Sequence, residues 1–531
     1  MKANFKPLGI VAAVAAASAG YTGVVNAQAS GALAAETQLG DLAIVPYYTV
    51  NAGYATGINV INTSDRTQAL KIRLRRAEDS MDALDFNVVL SPKDMYTGFV
   101  QASGDDIKFI SNDNSCTAPA YPAGGFVMPS IYREGAETGY IEILSMGSPV
   151  QGTIADPIQG VIPVDNSAVA VAAKHSAEGV PADCKGVRDN FFKGGVVGAT
   201  RGVVDSTTSV QIVKTTPTTN VWEASPNSLK VSYFIKSDET GVEFGDNAVH
   251  VENFLDGPAI TNQQLGVFDG DLMGFDHPDL NGGSPIGGGA SVGLYESLRT
   301  TLGAETLIND WSQNSTGDFS VDTDWVVTIP GQYLMVDFPF FQVDLDTAGA
   351  VPCTAAGTTI TGPSGPVPLP ACDFRDIPMT ASFTVYDREE QGITVEEGDL
   401  VVSPQPPSEI PTDVLDKEVN VIQWGAAPVL NATEFIEVPK PEGAKFGFTE
   451  LSATSAALKT QSICTYVLVG GNPVPNPIAA AFGYDIPAMT CASTDTPAPM
   501  VGFVAWQRNF ADLPAANYGR IVEHSRTQAS S

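Results

Sequence analysis

Short apolar segments, each ended by glycine, proline or asparagine, recur along the whole chain. Leu42–Val50 and Thr56–Asn62 flank the turn signal Asn51-Ala52-Gly53, and Ala69–Arg75 alternates apolar with polar residues. A period of two is typical of β-strands, whereas helices need longer segments with a period near 3.6. With 51 Gly and 37 Pro among 531 residues, the sequence predicts a β-meander here and not a β-α-β unit.

The same pattern of short apolar segments separated by turn residues continues to the C-terminus. In Ala69–Arg75 the polar members are Lys71, Arg73 and Arg75, which predicts a half-buried strand with one face in water. Many short strands separated by turns favour a mainly β fold of β-sandwich or jelly-roll-like domains, with a few short helices and long loops. Further strands are predicted at Gly139–Leu144, Leu229–Ile235, Trp325–Ile329, Tyr333–Phe338, Met379–Tyr386, Val419–Trp424, Cys464–Val469 and Val501–Trp506.

Helical periodicity is confined to two places. Ser291–Leu302 repeats leucine at a helical spacing, and we extend this prediction through Glu305–Trp311; a second helix is predicted at Ser452–Lys459. Glycine-rich and proline-rich runs supply linkers, and we divide the chain into β-rich domains at residues 28–260 and 261–531, the latter holding the helices.

The N-terminus has the pattern of an export signal. Lys2 and Lys6 precede the apolar stretch Leu8–Ala19, and Val25-Asn26-Ala27 fits a small-x-small cleavage site. A membrane-spanning helix needs about 20 apolar residues, so we expect residues 1–27 to be removed as a signal peptide. We expect the mature chain to lie outside the bacterial inner membrane with no transmembrane segment, and no lipid anchor because the first cysteine is Cys116.

Charge constrains the partners. The chain has 60 Asp and Glu against 28 Lys and Arg, a net charge of −32, which repels nucleic acid and anionic lipid. The apolar content of 43% separates it from acidic disordered proteins. Such a surface attracts divalent cations, which can neutralise carboxylates or bridge two molecules.

The even number of cysteines indicates disulfides in an exported protein. Six cysteines allow 15 connectivities, and their positions form three separated pairs, so we predict nearest-neighbour bridges. The six are Cys116, Cys184, Cys353, Cys372, Cys464 and Cys491.

One acidic loop is the best candidate for a metal site. Its four aspartates and one asparagine, spaced by glycines, offer the oxygen ligands that Ca²⁺ prefers, although the spacing is not that of an EF-hand. A solvated acidic loop without metal is the equally weighted alternative. The predicted ligands are Asp269, Asp271, Asp276, Asp279 and Asn281; Asp318, Asp322 and Asp324 form a weaker candidate.

No catalytic arrangement stands out. Gly289-Ala290-Ser291-Val292-Gly293 matches the G-x-S-x-G nucleophile elbow, but no apolar strand precedes it, so Ser291 is better interpreted as a helix N-cap. The four histidines are scattered and are expected on surfaces or in turns, while the five tryptophans are expected in the core. We therefore predict that the protein is not an enzyme.

Six short segments, spread in order along the chain, carry a family resemblance: Ile61–Asp65, Leu70–Arg75, Leu84–Asp94, Thr323–Pro330, Val385–Glu390 and Glu418–Ile422. Taken in order, they resemble segments of the surface-layer proteins of marine gammaproteobacteria. The resemblance implies a two-dimensional lattice of identical subunits on the outer membrane.

The sequence thus predicts a secreted structural protein that self-assembles into a cell-surface layer (S-layer), with Ca²⁺ bridging between carboxylates. Its expected partners are copies of itself and an outer-membrane glycan or lipopolysaccharide. A secreted glycan-binding adhesin or glycan-degrading enzyme, with its site in the loops of a β-sandwich, is the alternative.

Overall fold

A computed structural model provides the coordinates. It describes residues 33–78, 80, 82–157, 159–190, 198–202, 211–215, 222–255, 257–260, 278, 280, 292–316, 318–331, 359–362, 365–368, 379–390, 392, 412–454, 462–466, 468–469, 472–473, 489–493 and 497–527. The predicted signal peptide, residues 1–27, lies outside this set.

Strands dominate the first half of the chain. They are β1 Leu33–Ala34, β2 Leu42–Thr49, β3 Tyr54–Asn62, β4 Gln68–Arg76, β5 Asp82–Leu90, β6 Met95–Ser103, β7 Asp106–Ile110, β8 Cys116–Ala118, β9 Phe126–Val127, β10 Thr138–Pro149, β11 Gly152–Asp156, β12 Gly160–Val164, β13 Gly198–Gly202, β14 Gln211–Thr215, β15 Trp222–Glu223, β16 Leu229–Ser237, β17 Glu243–Asn247 and β18 Val249–Glu252. The helices are α1 Ser130–Arg133, α2 Ala168–Ala173 and α3 Cys184–Asn190, with a 3₁₀ turn at Asn51–Gly53.

The second half has the same character. Helix α4 covers Val292–Leu302 and a 3₁₀ turn covers Pro514–Ala516. The strands are β19 Thr306–Thr316, β20 Phe319–Thr328, β21 Thr359–Gly362, β22 Gly365–Pro368, β23 Met379–Asp387, β24 Thr412–Leu415, β25 Val419–Gln423, β26 Ile436–Glu437, β27 Phe446–Thr454, β28 Ser462–Tyr466, β29 Leu468–Val469, β30 Asn472–Pro473, β31 Met489–Ser493, β32 Val501–Phe510, β33 Tyr518–Glu523 and β34 Ser525–Thr527. The mainly β prediction is confirmed.

Two antiparallel sheets form a sandwich-like unit in the first half. An eight-stranded sheet has the order β1-β18-β2-β10-β4-β5-β8, with β15 beside β10, and a six-stranded sheet has the order β17-β16-β3-β6-β7-β9. Phe86 of β5 carries the contact between them, because its ring lies 4.9 Å from Phe109 of β7 and 4.5 Å from Phe126 of β9. The alternating apolar residues of β4 point toward this core, as a period of two requires.

A ten-stranded sheet organises the second half, in the order β24-β23-β27-β19-β20-β25-β26 with β32, β33 and β34 attached. Strand β19 pairs with β27 along its first part and with β20 along its last part. Three buried tryptophans fill the space beside this strand: the ring of Trp424 lies 5.6 Å from Trp311 and 5.5 Å from Trp325. The prediction that tryptophans pack in the core is confirmed for these three.

The helix predictions are partly right. Helix α4 matches the predicted Ser291–Leu302, and Leu298 and Leu302 are fully buried. The extension through Glu305–Trp311 is wrong because this segment belongs to β19, where pairing with β27 overrides the local pattern. The helix predicted at Ser452–Lys459 is wrong for Ser452–Thr454, which end β27.

The prediction that β4 has one face in water is also wrong. Lys71, Arg73 and Arg75 are all completely buried. Burying a charge is tolerated only when it is paired and hydrogen-bonded, and carboxylates on the neighbouring strands β5 and β10 provide the partners. We call these three basic residues, with Asp82, Asp85 and Glu142, the buried ionic layer.

Short contacts run through the buried ionic layer. Lys71 Nζ lies 2.6 Å from Asp85 Oδ2. Glu142 contacts both guanidinium groups, at 3.3 Å from Arg73 Nη1 and 2.9 Å from Arg75 Nε. Asp82 Oδ1 likewise lies 3.0 Å from Arg73 Nε and 3.3 Å from Arg75 Nη1. Three positive and three negative groups therefore neutralise one another inside the protein.

The second half of the chain packs close to this layer. The backbone N–H of Val419 donates to the carbonyl of Ala77 at 3.0 Å, and that of Gly331 donates to the Tyr140 hydroxyl at 3.3 Å. No described sheet mixes strands from the two sides of residue 260, yet one hydrophobic core includes residues from both. The domain boundary itself stays a prediction.

Candidate assembly surface

The five predicted calcium ligands, Asp269, Asp271, Asp276, Asp279 and Asn281, all lie outside the described residues. Pro278 and Leu280, which lie between these predicted ligands in the sequence, belong to the described residues and are buried. Arg73 Nη1 donates a hydrogen bond of 2.8 Å to the carbonyl of Pro278. This part of the acidic segment is therefore attached to the buried ionic layer, and calcium binding stays a prediction.

The weaker acidic candidate has a structural role in the described region. Asp324 Oδ2 accepts hydrogen bonds from the backbone N–H groups of Val429 and Leu430, both at 2.8 Å, and Asp322 Oδ1 accepts one from Ala426 at 3.0 Å. Burial raises the pKa of Asp324 to about 7, although the two N–H donors oppose the shift. Within the described residues, no group of three His, Cys, Asp or Glu side chains is arranged to hold a metal ion.

The cysteines agree with nearest-neighbour pairing where they can be followed. A disulfide joins Cys116 of β8 to Cys184 of α3. Cys464 of β28 and Cys491 of β31 are direct cross-strand partners in the backbone register. This register suits the predicted Cys464–Cys491 bridge, which stays a prediction. Cys353 and Cys372 lie outside the described residues, and their bridge stays a prediction too.

Two histidines predicted on surfaces or in turns are in fact buried. His524 Nε2 lies 3.0 Å from the carbonyl of Val326, and its Nδ1 lies 3.0 Å from the amide nitrogen of Asn309. Burial lowers the pKa of His524 to about 3 and that of His250 to about 4. His524 lines a cleft of about 410 Å³, but with both ring nitrogens engaged it is a structural group and not a catalytic base.

Sequence reasoning missed an exposed surface on β20, β32 and β33. Residues at every second position of β32 lie on one side of the sheet, beside partners in β33: Trp506 faces Arg520 and Arg508 faces Tyr518. The Arg520 guanidinium lies 4.7 Å from the centre of the Trp506 ring, and that of Arg508 lies 5.4 Å from Tyr518. Arg508 also lies 5.7 Å from the ring of Phe319 in β20. We call these five residues the arginine–aromatic face.

The arginine–aromatic face is open to solvent at the β33 side. Tyr518 is 46% exposed and nearby Val522 37% exposed. On the opposite side of β33, Gly519 packs against Phe244 of β17 so closely that a Cβ atom there would meet its ring at 2.4 Å. One side of β33 is thus attached to the first half of the chain, while the other presents arginine and aromatic side chains outward.

The composition of this face differs from the rest of the molecule. Arginine and aromatic residues are enriched in protein–protein interfaces, whereas Lys, Glu and Asp are depleted. One carboxylate lies beside the face: Asp310 Oδ1 accepts a hydrogen bond of 2.9 Å from Trp506 Nε1. With two arginines against this one aspartate, the face stays net positive on a chain whose total charge is −32. The alternation Trp506, Arg508, Phe510 was visible in the sequence, but our predicted strand ended at Trp506 and so did not include it.

Comparisons with protein-family models, curated proteins and solved structures find no match for this chain. Among the described residues, no helix combines the length and apolar character needed to cross a membrane.

Proposed function

We propose that the protein is a secreted structural subunit that self-assembles into a layer on the outer surface of the outer membrane. The single observation that carries the proposal is the arginine–aromatic face on a chain of charge −32. A copy that presents this face attracts the acidic surface of the next copy. Because the two contacting surfaces differ, the contact is head-to-tail and propagates unless rotation closes it into a ring.

Calcium is the second part of the proposal. The predicted ligands Asp269–Asn281 would hold Ca²⁺ and bridge or neutralise carboxylates as copies approach, which makes assembly reversible by chelation. Retention at the cell surface comes from the lattice and from contact with outer-membrane glycan or lipopolysaccharide.

The alternative class, a glycan-binding adhesin or hydrolase, would use exposed rings as stacking platforms for sugars. In the arginine–aromatic face a guanidinium lies over the ring of Trp506 and another over Tyr518. These rings are therefore partly covered, which favours a protein contact over sugar stacking.

Charge reversal at Arg520 tests the proposal. We expect the purified mature wild-type protein to form periodic sheets in negative-stain electron micrographs and Arg520→Glu to need an at least about tenfold higher protein concentration, as for loss of an interface hot spot. Arg388→Glu is the matched control, because the Arg388 side chain is 73% exposed and is not one of the five residues of this face. Circular dichroism establishes that both variants are folded.

A wild-type protein that stays monomeric at all concentrations and binds outer-membrane polysaccharide would establish the alternative instead. Equal effects of the two reversals would show that general charge, and not this face, controls assembly.

A further inference from the structure

The hairpin formed by β11 and β12 stands apart from the main sheets. Within the described part of the chain, β11 pairs with β12 and with no other strand. Ile154 is 48% exposed and Val161 71% exposed, on opposite strands of the hairpin. A two-stranded hairpin alone is marginally stable in water, and an open strand edge is a template for pairing with another chain.

A proline determines which outer edge of the hairpin has all of its backbone N–H donors. Pro163 is the cross-strand partner of Thr153, and since proline has no N–H, these two cannot be a hydrogen-bonded pair. The N–H and C=O groups of Thr153 therefore point away from β12, and so do those of Ala155 two residues on. The outer edge of β11 offers both donors, whereas the outer edge of β12 lacks one at Pro163.

The charge of the hairpin is as distinctive as its edge. Asp156 is the one ionisable residue between Gly152 and Val164. On a chain of charge −32, two copies approach with least repulsion where such groups are sparse. Thr153 and Ile154 are β-branched and favour extended backbone, and the strip between Gly152 and Asp156 carries no charge that opposes its own copy.

We infer that the outer edge of β11 pairs antiparallel with the same edge of a second copy. This inference rests on the proposed function, for which it names one of the contacts. One register uses both outward-pointing residues of β11 in both copies: Thr153 pairs with Ala155 of the other copy, and Ile154 meets its own equivalent on a two-fold axis. A four-stranded sheet, β12-β11-β11-β12, results.

The register also separates the charges. Each Asp156 lies opposite Gly152 of the other copy, so the two carboxylates are four residues apart along the strand. At the usual rise per residue this is about 14 Å, beyond the screening length of about 10 Å at moderate salt. The contact closes after two copies, and the different contact at the arginine–aromatic face then links such pairs into a layer.

Proline substitutions on the two edges test the inference with matched variants. Ala155→Pro removes a donor from the β11 edge, and Val161→Pro removes one from the β12 edge; neither N–H is used between β11 and β12. Because symmetry doubles the loss, we expect Ala155→Pro to raise the dimer dissociation constant at least about tenfold in sedimentation equilibrium. Val161→Pro is expected to dimerise like the wild type.

Cysteine cross-linking provides an independent test of the register. Ile154→Cys places two thiols face to face in a non-hydrogen-bonded pair, where the Cα separation of about 4.5 Å suits a disulfide. We expect rapid oxidation of this variant to a covalent dimer, and none above the wild-type background for the more exposed Val161→Cys. Equal cross-linking of the two variants, or equal weakening by the two prolines, overturns the inference.

The two proposals fail separately. If periodic sheets persist in Ala155→Pro with an unchanged dissociation constant, the β11 contact is wrong and assembly stands. If the wild type forms no sheets but Ile154→Cys still gives the covalent dimer selectively, the β11 contact stands and the layer is wrong.

Discussion

Glu142 is the central carboxylate of the buried ionic layer, since it contacts both Arg73 and Arg75 and is itself fully buried. Glu142→Gln leaves two buried guanidinium groups with less compensating charge, and breaking a buried ion pair costs about 3 kcal/mol or more. We expect that loss in the free energy of unfolding, measured by urea titration followed by circular dichroism. Glu389→Gln, in an exposed pair with Arg388, is the control and is expected to change stability by less than about 0.5 kcal/mol.

Asp324 predicts a specific pH dependence. Its pKa is about 7 in the folded protein against 3.8 for an ordinary aspartate, so between these values the folded state keeps a proton that the unfolded state releases. The stability contributed by this protonation is complete below pH 3.8 and is lost as the pH rises through about 7. Asp324→Asn cannot ionise, and its amide oxygen can still accept from Val429 and Leu430.

The measurement is the difference in melting temperature between Asp324→Asn and the wild type. We expect this difference to increase across the window by at most about 3 °C per pH unit and to be constant above and below it. Asp41, His250 and His524 also have shifted pKa values, but they are present in both proteins and their effects cancel. A difference that does not vary with pH would mean that the pKa of Asp324 is the same in the folded and unfolded protein, and would contradict the prediction.

At the scale of elements, the sequence predicted that β4 is a strand but not that both of its faces are buried. The alternation in β4 correctly predicted a strand, but the same pattern suits a wet face and a buried ionic layer equally. The deciding information lies in Asp82, Asp85 and Glu142, which reach β4 through strand pairing and not through sequence proximity. For the same reason β19 was mistaken for a helix, because its pairing partner β27 is more than a hundred residues away.

In the arginine–aromatic face, too, some features follow from the local sequence and others only from strand pairing. Alternation along β32 is a local property, so a strand with Trp506, Arg508 and Phe510 on one side is predictable. That Arg520 and Tyr518 complete the arginine–aromatic face depends on the β32–β33 register. The open edge of β11 likewise follows from a single proline only after the pairing of Thr153 with Pro163 is known.

For the whole molecule, the two proposed contacts have complementary consequences. The β11 edge is self-complementary and closes after two copies, while the arginine–aromatic face contacts a different surface and need not close. One contact of each kind is sufficient to extend an assembly in more than one direction. Hydrogen bonds between the halves, such as that from Thr328 Oγ1 to the carbonyl of Pro46 at 2.6 Å, hold the described parts of the chain together, so that the two proposed contacts would act on one packed body.

In the proposed assembly, the net charge of the chain determines which cations permit the copies to associate. On a chain with a net charge of −32, general screening by NaCl and specific bridging by Ca²⁺ both reduce repulsion, but they affect the arginine–aromatic face differently. NaCl also screens the attraction of Arg508 and Arg520 for carboxylates of another copy. Ca²⁺ that is bound at its own carboxylate site does not weaken that attraction. Mg²⁺ retains its waters and bridges carboxylates poorly.

We therefore expect layers dissolved with EDTA to reform with millimolar Ca²⁺, and to reform poorly with Mg²⁺ or with NaCl at the same ionic strength. Light scattering follows reassembly, and calorimetry measures Ca²⁺ uptake by the dissolved subunit. The combined substitution of Asp276→Asn and Asp279→Asn is expected to abolish the difference between Ca²⁺ and Mg²⁺ if the predicted loop holds the ion. Equal recovery with NaCl and no calorimetric uptake would leave screening alone as the mechanism, because a bridging ion must bind before it can join two copies.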